Sequence, residues 1–465
     1  MQLSADEILK ATGGEWLVAP SADFCVTAIS TDSRTVGRGD LFVALKGENF
    51  DAHAFLSSVV EKGASGVVVE RAEAAEPLQG RVPVLLVKNT LRALGAMATA
   101  WRTQCSAHRI AVVGSAGKTT TKEMLAHLLR RFAGSDDAVL STAGNFNNLI
   151  GLPLTLFRLT PEHKFAVLEM GMNEPGELAK LTPMGDPELL VLLGVGSAHV
   201  GQFGSREALL EAKAEAVRFA KDSMQILYDT GNENTREIIL KYGDDHPTLT
   251  FAVESPAEIR ASNIRVEHGK GYRFDLDFGG KVFVVHLPMF GRHNVTNATA
   301  AAAAAFMQGV PPEMICSAFQ DFRPAAMRSE VREQNGVTLV VDCYNASPEG
   351  MIGALDSLKD WRVPGETGKL HLVLGQMLEL GAESRELHAQ VGKHAAKLRP
   401  DAVYLFGEEM RVVAEEWKGE KGGVRFCESR EEIAEKLCES VKPGDVVFFK
   451  GSRGNKLETV VEALK

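Results

Sequence analysis

The stretch AVVGSAGKTTTKEM, Ala111 to Met124, decides the fold of the middle of this chain. An apolar run, Ile110 to Val113, leads into a turn with two glycines, and Lys118 and Thr119 then open a segment with helical periodicity. Phosphate binding requires backbone N–H groups at a helix N-terminus, a lysine and a hydroxyl, and all three are present here. The stretch therefore predicts a buried strand, a phosphate-binding loop and a helix.

The glycine spacing in this loop is unusual. The common Walker A pattern places four residues between its first glycine and the Gly-Lys pair, whereas only Ser115 and Ala116 separate Gly114 from Gly117. The alternative is a glycine-rich turn without a ligand. The short spacing argues against an ordinary member of the Walker A class, but it does not argue against phosphate binding.

Composition and charge narrow the class of protein. The chain has 465 residues, of which 45% are apolar and 24% charged, as in a globular α/β protein of about three domains. A net charge of −10 argues against a general nucleic-acid or membrane-surface binder. The six cysteines form no CxxC pair, and the first residues lack the order of a signal peptide. We expect a soluble, cytoplasmic protein, a monomer, with reduced thiols.

Three segments differ in their patterns, and we predict an α/β fold of three domains. Residues 1–86 alternate short strands with polar turns and form a small α/β domain. Residues 87–320 alternate buried strands and helices around the glycine loop, with an antiparallel hairpin addition at 261–288. Residues 321–465 repeat the strand-helix alternation and predict a second, Rossmann-like doubly wound domain.

Two residues at the ends of predicted strands are candidate metal ligands. Glu169 ends the apolar run FAVLE, where a parallel strand would bring a carboxylate beside the glycine loop. His199 follows the next strand candidate, in GVGSAHVGQFGS. Either residue could instead be structural, because strand-end acids often cap turns and single loop histidines are usually satisfied by neighbours.

Lys213 has an environment unusual for a lysine. On the predicted helix SREALLEAKAEAVRFA its neighbours one turn away are Leu209, Leu210, Ala216 and Val217, with no carboxylate among them. A desolvated ammonium requires a partner or a changed charge state. The alternative is a side chain at the edge of the helix whose ammonium reaches solvent.

A series of motifs lies along nearly the whole chain. In chain order they are TDSRTVGRGDLFVALKGENFDAHAF, GSAGKTTTKE, TAGNFNNLIGLP, LEMGMNEPGEL, SAHVGQFGSREALLEAKAE, GRHNVTNATAAAA, DCYNASPEGM, LGQMLELGAESRELH and FKGSR. Together they resemble the Mur ligase family of peptidoglycan synthesis, and within it the member that joins D-alanyl-D-alanine to UDP-N-acetylmuramoyl-tripeptide. Family ligases have three domains and a short GxxGKT loop, which accounts for the glycine spacing.

The resemblance implies roles for the residues of the central site. It implies ATP as the nucleotide, two Mg²⁺ ions, and a CO₂-derived carbamate on Lys213 that converts an ammonium into an anion. The implied ATP-binding residues are Gly114, Ser115, Ala116, Gly117, Lys118, Thr119, Thr120, His293, Asn294, Asn297 and Arg328. The implied metal-binding residues are Thr119, Glu169, His199 and Lys213, and the implied catalytic residues are Lys118, Lys213, His199 and Arg328.

The mechanism implied by the resemblance begins with phosphorylation of the carboxylate that ends the substrate peptide. The incoming amine then attacks the acyl phosphate, and phosphate leaves from a tetrahedral intermediate. Because the carboxylate and the γ-phosphate are both anions, the site needs cations, which Mg²⁺, Lys118 and Arg328 would supply. ATP on the central domain and the amino acid on the third must meet, so we expect the domains to close during turnover.

The resemblance also indicates the substrate-binding residues and the amino acid that is added. The first domain would bind the UDP end, and the third would select the amino acid through a D-x-Y-N-A-N-P signature. The D-Y-A-H-x-P and D-N-P-R motifs of the member that adds diaminopimelate are absent from the sequence. The implied substrate residues are Ser33, Arg34, Lys46, Asp51, His53, Asn145, Asn147, Asn148, Asp342, Tyr344, Asn345, Ala346, Ser347 and Ser452.

Departures from the family pattern are local. Ser347 stands where the family usually has Asn, Gln376 where it has Asp, and residues 226–233 lack the N-A-D-D run.

Rival hypotheses are the ligase that adds diaminopimelate or lysine, a folylpolyglutamate synthase, and a nucleotide-binding scaffold without activity. The folylpolyglutamate synthase lacks a UDP-binding first domain, and a scaffold has no use for a complete set of catalytic and metal-binding residues.

Overall fold

The computed structural model describes residues 1–48, 50–196, 203–267, 269–361, 368–417 and 423–464. Within these ranges the strands form three α/β sheets in chain order and one short ribbon in which β1 pairs with β3. This is the three-domain α/β fold that the sequence predicts. The boundaries at 86/87 and 320/321 stay a prediction.

The first sheet has the strand order β2-β7-β6-β5-β4, parallel except for the antiparallel pairing of β2 with β7. Helix α1 begins at Ser4, whose hydroxyl accepts the Glu7 N–H while the Glu7 carboxylate accepts the Ser4 N–H. It ends at Gly13, which is left-handed as a helix C-cap prefers. The elements are β1 Leu3–Ser4, α1 Ala5–Thr12, β2 Glu15–Val18, β3 Cys25–Val26, β4 Ile29–Ser30, β5 Leu41–Val43, α2 Leu56–Glu61, β6 Gly66–Val69, β7 Val84–Leu86 and α3 Thr90–Arg102.

The second sheet contains, in the described residues, nine strands in the order β16-β15-β14-β13-β12-β11-β8-β10-β9. Its parallel strands are apolar on both faces because helices cover both sides. The elements are β8 His108–Val113, α4 Lys118–Ala133, β9 Val139–Ser141, α5 Gly151–Leu156, β10 Phe165–Glu169, α6 Leu178–Gly185, β11 Leu189–Leu192, α7 Arg206–Arg218, β12 Gln225–Asp229, α8 Glu233–Tyr242, β13 Thr248–Val253, β14 Ile259–Glu267, β15 Gly271–Phe278, β16 Val282–Leu287, α9 His293–Met307 and α10 Pro312–Gln320.

Strand β8 lies where the strand order reverses, because β10 and β9 lie on one side of it and β11 to β16 on the other. In open parallel sheets ligands bind at such a switch point, beyond the carboxyl ends of the strands. The glycine loop follows β8 at this point. The predicted antiparallel addition is confirmed and is larger than one hairpin, since β14, β15 and β16 form a three-stranded antiparallel ribbon that extends the sheet.

The third sheet has the order β17-β18-β22-β19-β20-β21 and is parallel except at β17. The doubly wound pattern is confirmed, and the antiparallel edge strand β17 was not predicted. The elements are β17 Glu330–Gln334, β18 Val337–Asp342, α11 Pro348–Trp361, β19 Leu370–Gly375, α12 Ser384–Ala396, β20 Ala402–Phe406, α13 Arg411–Glu416, β21 Gly423–Cys427, α14 Arg430–Ser440, β22 Val446–Lys450 and α15 Glu458–Ala463.

One hydrophobic core joins the second and third sheets. Phe290, from the segment before α9, lies with its ring centroid 5.2 Å from that of Trp361 and 5.5 Å from that of Phe448. Helix α9 packs against α4, and its alanines are fully buried, as the small side chains predict. None of the helices in the described ranges is both long and apolar enough to cross a membrane.

Candidate active site

The glycine loop connects β8 to α4 at the carboxyl edge of the second sheet. Gly117 is the N-cap of α4 and has φ of +80°, which favours glycine. A Cβ at this position would also collide with Oδ1 of Asn297 on α9. The hydroxyl of Ser115 is buried without a hydrogen-bond partner in the part of the chain that the structure describes. The loop therefore offers a helix N-terminus and an unsatisfied hydroxyl to an anion.

Lys118 lies directly over this loop. Its Nζ donates to the carbonyl oxygens of Gly114, at 2.9 Å, and Ser115, at 3.2 Å. Burial lowers the pKa of the Lys118 ammonium, the nearby Glu169 carboxylate raises it, and the charge of Arg328 lowers it further. Glu169 and Arg328 thus both lie close enough to Lys118 for their charges to act on it.

Glu169 ends strand β10, as predicted, and is 2% exposed. Its Oε1 accepts a hydrogen bond of 2.7 Å from the side-chain amide of Asn147. Its Oε2 is buried and has no hydrogen-bond partner among the described residues. A buried carboxylate oxygen without a donor is a position that a cation would satisfy.

Lys213 is 3% exposed on α7, so the predicted burial is confirmed and the alternative of a solvated ammonium is wrong. Its Nζ points at the Gly114 carbonyl oxygen, 3.4 Å away. The pKa of Lys213 is lowered to about 7, chiefly by burial and also by the charge of Lys118, while the Glu177 carboxylate opposes both effects. An amine with this pKa is partly neutral at physiological pH.

The described residues contain no cluster of three His, Cys, Asp or Glu side chains that could hold a metal ion unaided. Magnesium usually takes one or two carboxylates together with substrate phosphates and water, so Glu169 with the Thr119 hydroxyl fits that mode. His199, the other candidate ligand, lies outside the described residues. The unsatisfied Glu169 Oε2 is the structural feature that fits a cation.

Arg328 comes from the segment just before β17, far along the chain from the glycine loop. Its guanidinium lies 4.1 Å from the centroid of the Tyr344 ring. The residues on both sides of it, Met327 and Ser329, have left-handed φ of +63° and +52°. Non-glycine residues in this region cost about 1 kcal/mol or more each and are concentrated at functional sites.

Asn294 and Asn297 are buried on the first turns of α9, and His293 is the first residue of that helix. The Asn297 amide donates to Oδ1 of Asn294 at 2.9 Å, and the Asn294 amide donates to the Phe290 carbonyl at 2.7 Å. Together with the contact between Asn297 and Gly117, these bonds connect α9 to the glycine loop. This contact with the loop was not predicted from the sequence.

Asp342 ends β18 and forms a partly buried ion pair. Its Oδ2 lies 2.5 Å from Nζ of Lys450, which ends the neighbouring strand β22, and its Oδ1 accepts the Ser329 N–H at 3.1 Å. The bond to Ser329 connects Asp342 to the turn that presents Arg328. Lys450 was not predicted as a site residue, although it belongs to the motif FKGSR.

The other predicted residues of the third domain lie along the same carboxyl edge. The Asn345 side chain accepts the Ala346 N–H at 2.9 Å, and the Ser347 hydroxyl accepts the Gly350 N–H at 3.2 Å at the start of α11. Ser452 is buried, and its hydroxyl accepts the Leu378 N–H at 3.0 Å. These hydrogen bonds shape the loops between the strand ends and the following helices.

The predicted residues of the first domain make mainly structural contacts. Asp51 Oδ1 lies 2.6 Å from Nδ1 of His53, whose Nε2 accepts the Glu70 N–H at 3.0 Å. Asp51 Oδ2 accepts from Arg71 at 2.6 Å, and Lys46 pairs with Asp51 through a backbone bridge. His53 is therefore a buried, satisfied histidine.

Ser33 and Arg34 lie in a polar turn of the first domain. The Ser33 carbonyl oxygen accepts from the Lys62 ammonium at 2.6 Å, and the exposed Arg34 pairs with Asp32 at 2.7 Å. Side-chain contacts of this kind hold the turn together.

The loop after β9 carries the three predicted asparagines. Asn145 is exposed, and the Asn148 side chain accepts the Ile150 and Gly151 N–H groups at 3.1 and 2.9 Å before α5. Asn147 instead contacts Glu169, so its position indicates a role in orienting that carboxylate.

Sequence reasoning missed one further feature near the loop. Lys122 is fully buried on α4, one turn after Lys118, and its Nζ donates to the Thr142 carbonyl oxygen at 2.5 Å. Lys122 lies four residues after Lys118, so the two side chains lie on one face of the helix. This spacing is the sequence signal from which the position of Lys122 could have been predicted.

Comparison with known proteins places the chain in a family. The family model described as "Mur ligase family, catalytic domain" matches residues 26–102. "Mur ligase middle domain" matches 112–305, and "Mur ligase, glutamate ligase domain" matches 327–453. The three matches follow the order of the three sheets.

Individual relatives agree with these matches along almost the full chain. The UDP-N-acetylmuramoyl-tripeptide--D-alanyl-D-alanine ligase of Bacillus subtilis (strain 168) is 33% identical over 94% of this chain and 93% of its own length. A crystal structure of MurF from Acinetobacter baumannii has a TM-score of 0.88 at 32% identity, covering 100% of this chain and 99% of that one. MurF ligase from Thermotoga maritima in complex with ADP has a TM-score of 0.80 at 29% identity, covering 94% and 97%. This chain belongs to the Mur ligase family.

Proposed function

We propose that this chain is an ATP-dependent ligase that joins D-alanyl-D-alanine to UDP-N-acetylmuramoyl-tripeptide, a step in the synthesis of peptidoglycan precursors. The observation that carries the proposal is the site at the switch point of the second sheet, in a chain similar to D-alanyl-D-alanine ligases over nearly its whole length. At that site Lys118 lies within electrostatic reach of Glu169 and Lys213, and also of Arg328, which precedes the third sheet.

ATP is the nucleotide that this site fits. The N-terminus of α4, Lys118 and the Ser115 hydroxyl, which has no partner among the described residues, offer donors and positive charge to the phosphates. The relative from Thermotoga maritima was crystallised with ADP, which supports a nucleotide at this position. The proposed ATP contacts are residues 114–120 with Arg328, and His293, Asn294 and Asn297 from the start of α9.

Magnesium is the metal that we propose for this site. Thr119 and Glu169 would hold one ion, and His199 would hold a second ion together with Lys213 if the amine of Lys213 is carbamylated. When bound, Mg²⁺ neutralises charge on the phosphates during transfer.

The chain's own residues would bring two anions together, the carboxylate of the tripeptide and the γ-phosphate. Lys118 and Arg328 carry the positive charge that reduces their repulsion, and each is preorganised, one by loop carbonyls and the other by the Tyr344 ring. A carboxylate oxygen attacks the γ-phosphorus, ADP leaves, and an acyl phosphate forms. The dipeptide amine then attacks the acyl carbon, loses a proton, and displaces phosphate.

A carbamate on Lys213 is the second part of the proposal for this site. Carbamylation requires a neutral amine and CO₂, and the lowered pKa of Lys213, about 7, provides the neutral amine at physiological pH. The Lys213→Ala variant should lose activity, and short carboxylic acids should restore part of it by supplying the missing anion. Full activity of Lys213→Ala would contradict this role.

We assign the dipeptide to the carboxyl edge of the third sheet and the UDP end to the first domain. Asp342, Tyr344, Asn345, Ala346, Ser347 and Ser452 are the proposed residues at that edge. Asn145, Asn147 and Asn148 would face the muramoyl-peptide from the central domain. Ser33, Arg34, Lys46, Asp51 and His53 mark the proposed UDP-binding region of the first domain, where His53 supports the loop from within.

Phosphate release tests the proposed function. Wild-type protein is incubated with ATP, Mg²⁺, UDP-N-acetylmuramoyl-tripeptide and one donor: D-alanyl-D-alanine, diaminopimelate, lysine or glutamate. We expect release only with D-alanyl-D-alanine. Release with another donor alone would contradict the specificity, and no release with any donor would favour the nucleotide-binding scaffold.

A further inference from the structure

Lys122 is a fully buried lysine that the proposed reaction does not use. Its Nζ lies 2.5 Å from the Thr142 carbonyl oxygen and 2.6 Å from the carboxylate of Glu123. Burial of an ammonium carries a desolvation cost, which close hydrogen-bond and ion-pair partners must offset. An apolar side chain would fill the same space without that cost, so the contacts of Lys122 require an explanation.

Thr142 connects Lys122 to Glu169. It directly follows β9, is fully buried, and donates its N–H to the Val167 carbonyl oxygen at 3.1 Å. Its hydroxyl accepts the backbone N–H of Glu169 at 3.0 Å. Thr142 thus connects the two residues: its carbonyl oxygen accepts from Lys122, and its hydroxyl accepts from the backbone N–H of Glu169.

The segment that follows Thr142 reaches Glu169 a second time. Residues 143–147 lead from Thr142 to Asn147, whose amide donates to Glu169 Oε1 at 2.7 Å. The Asn147 carbonyl also accepts the Gly171 N–H at 2.8 Å, just beyond β10. The backbone and the side chain of Glu169 are thus both oriented by the segment that Lys122 holds, which leaves Oε2 without a partner in the described chain.

We propose that Lys122 is a positioning residue, which acts through Thr142 to hold the Glu169 carboxylate in the orientation that binds a divalent cation beside the nucleotide. The proposal rests on the proposed function for the identity of the ligand. Groups that orient a metal ligand without touching the metal typically change metal affinity or activity by about 10- to 100-fold when they are removed.

Three variants test the connection between Thr142 and Glu169 while Lys122 stays in place: Thr142→Val, Thr142→Ser and Thr155→Val. Valine removes the hydroxyl that accepts from Glu169, whereas serine keeps it. Thr155 is a matched control, because it is also buried and its hydroxyl donates to a backbone carbonyl, that of Gly151, at 3.0 Å on α5. Lys122→Met then removes the ammonium and keeps the chain length.

The measurement is the Mg²⁺ concentration that gives half-maximal binding of a fluorescent ADP analogue, alongside the melting temperature of each variant. We expect about a tenfold increase in that concentration for Thr142→Val and Lys122→Met, and wild-type values for Thr142→Ser and Thr155→Val. If Lys122→Met does not fold, the three threonine variants decide.

A Thr142→Val protein with a lowered melting temperature but wild-type Mg²⁺ dependence, like Thr155→Val, would overturn the proposal. Because ADP binding needs no donor, this result is distinguishable from failure of the proposed function. A wild-type chain that binds Mg²⁺ and ADP but joins no donor would contradict only the proposed function.

Discussion

Lys213 combines burial, a neighbouring cation and a distant carboxylate, and this combination has a consequence for stability. Its pKa falls from the ordinary 10.5 to about 7 in the folded protein, chiefly because of burial. The unfolded chain therefore binds the proton more tightly than the folded chain does. Protonation of this lysine therefore lowers the free energy of unfolding. The full effect is present below about pH 7, and it is lost as the pH rises towards 10.5.

The Lys213→Met variant should consequently melt at a higher temperature than wild type at pH 7 in CO₂-free buffer. The difference should shrink by pH 9, because wild-type stability rises with pH between 7 and 10.5 while the variant lacks this contribution. Thermal denaturation at the two pH values measures this difference in melting temperature between the variant and the wild type. Lys180→Met, at an exposed position on α6, serves as the control. A difference that is absent, or that grows with pH, would contradict the assignment.

Individual site residues were predictable where their neighbours in sequence determine their surroundings. The apolar residues one turn from Lys213 predicted its burial, and the end of an apolar run predicted the position of Glu169. Lys122 was not predictable in this way, because its partner Thr142 lies on another strand. The structure describes the positions of Glu169, Lys118 and Lys213, whereas His199 lies outside the described residues, and the catalytic and metal-binding roles of all four stay predictions.

The glycine loop and α4 act as one element, since Gly117 begins the helix and Gly134 ends it. Both glycines are left-handed, with φ of +80° and +71°. They differ in their surroundings, because a Cβ at Gly117 would collide with Asn297, whereas one at Gly134 would have no heavy atom within 4 Å. Substitutions at the two ends of the helix therefore distinguish the effect of backbone strain alone from the effect of strain combined with a steric clash.

Gly117→Ala and Gly134→Ala should each lose about 1 to 2 kcal/mol of stability to left-handed strain, which differential scanning calorimetry measures as lowered melting temperatures. Only Gly117→Ala should also lose affinity for ATP, by about tenfold or more, equivalent to about 1.4 kcal/mol, because the loop or Asn297 must move. Calorimetric titration with ATP compares the variants. Equal ATP affinity in both would show that the contact with Asn297 does not shape the loop.

The elements predicted from sequence are those with a clear hydrophobic period. The apolar runs before the glycine loop and in the last third of the chain became β8 and β18 to β22. Strand β17, with the sequence EVREQ, carries charged residues at an edge and has no such signal. Pairing order was also not predictable, because the position of β8 between β10 and β11 depends on contacts distant in sequence.

At the scale of the whole molecule, the candidate site depends on contact between the second and third sheets. The Phe290, Trp361 and Phe448 cluster joins them, and Arg328 enters the electrostatic field of Lys118. The family resemblance indicated that Arg328 belongs to the site, although composition and periodicity give no sign of it. The order of the three domains was predictable, since each has its own strand-helix pattern.

In the proposed reaction the tripeptide carboxylate is activated by phosphorylation before D-alanyl-D-alanine is added. A tripeptide substrate labelled with ¹⁸O in both oxygens of that carboxylate tests this order of steps. With ATP, Mg²⁺ and D-alanyl-D-alanine, mass spectrometry of the released phosphate should find one ¹⁸O atom per phosphate, because the attacking oxygen leaves with phosphorus. The new amide should retain the other. Unlabelled phosphate, released together with the amide product, would contradict the acyl-phosphate route.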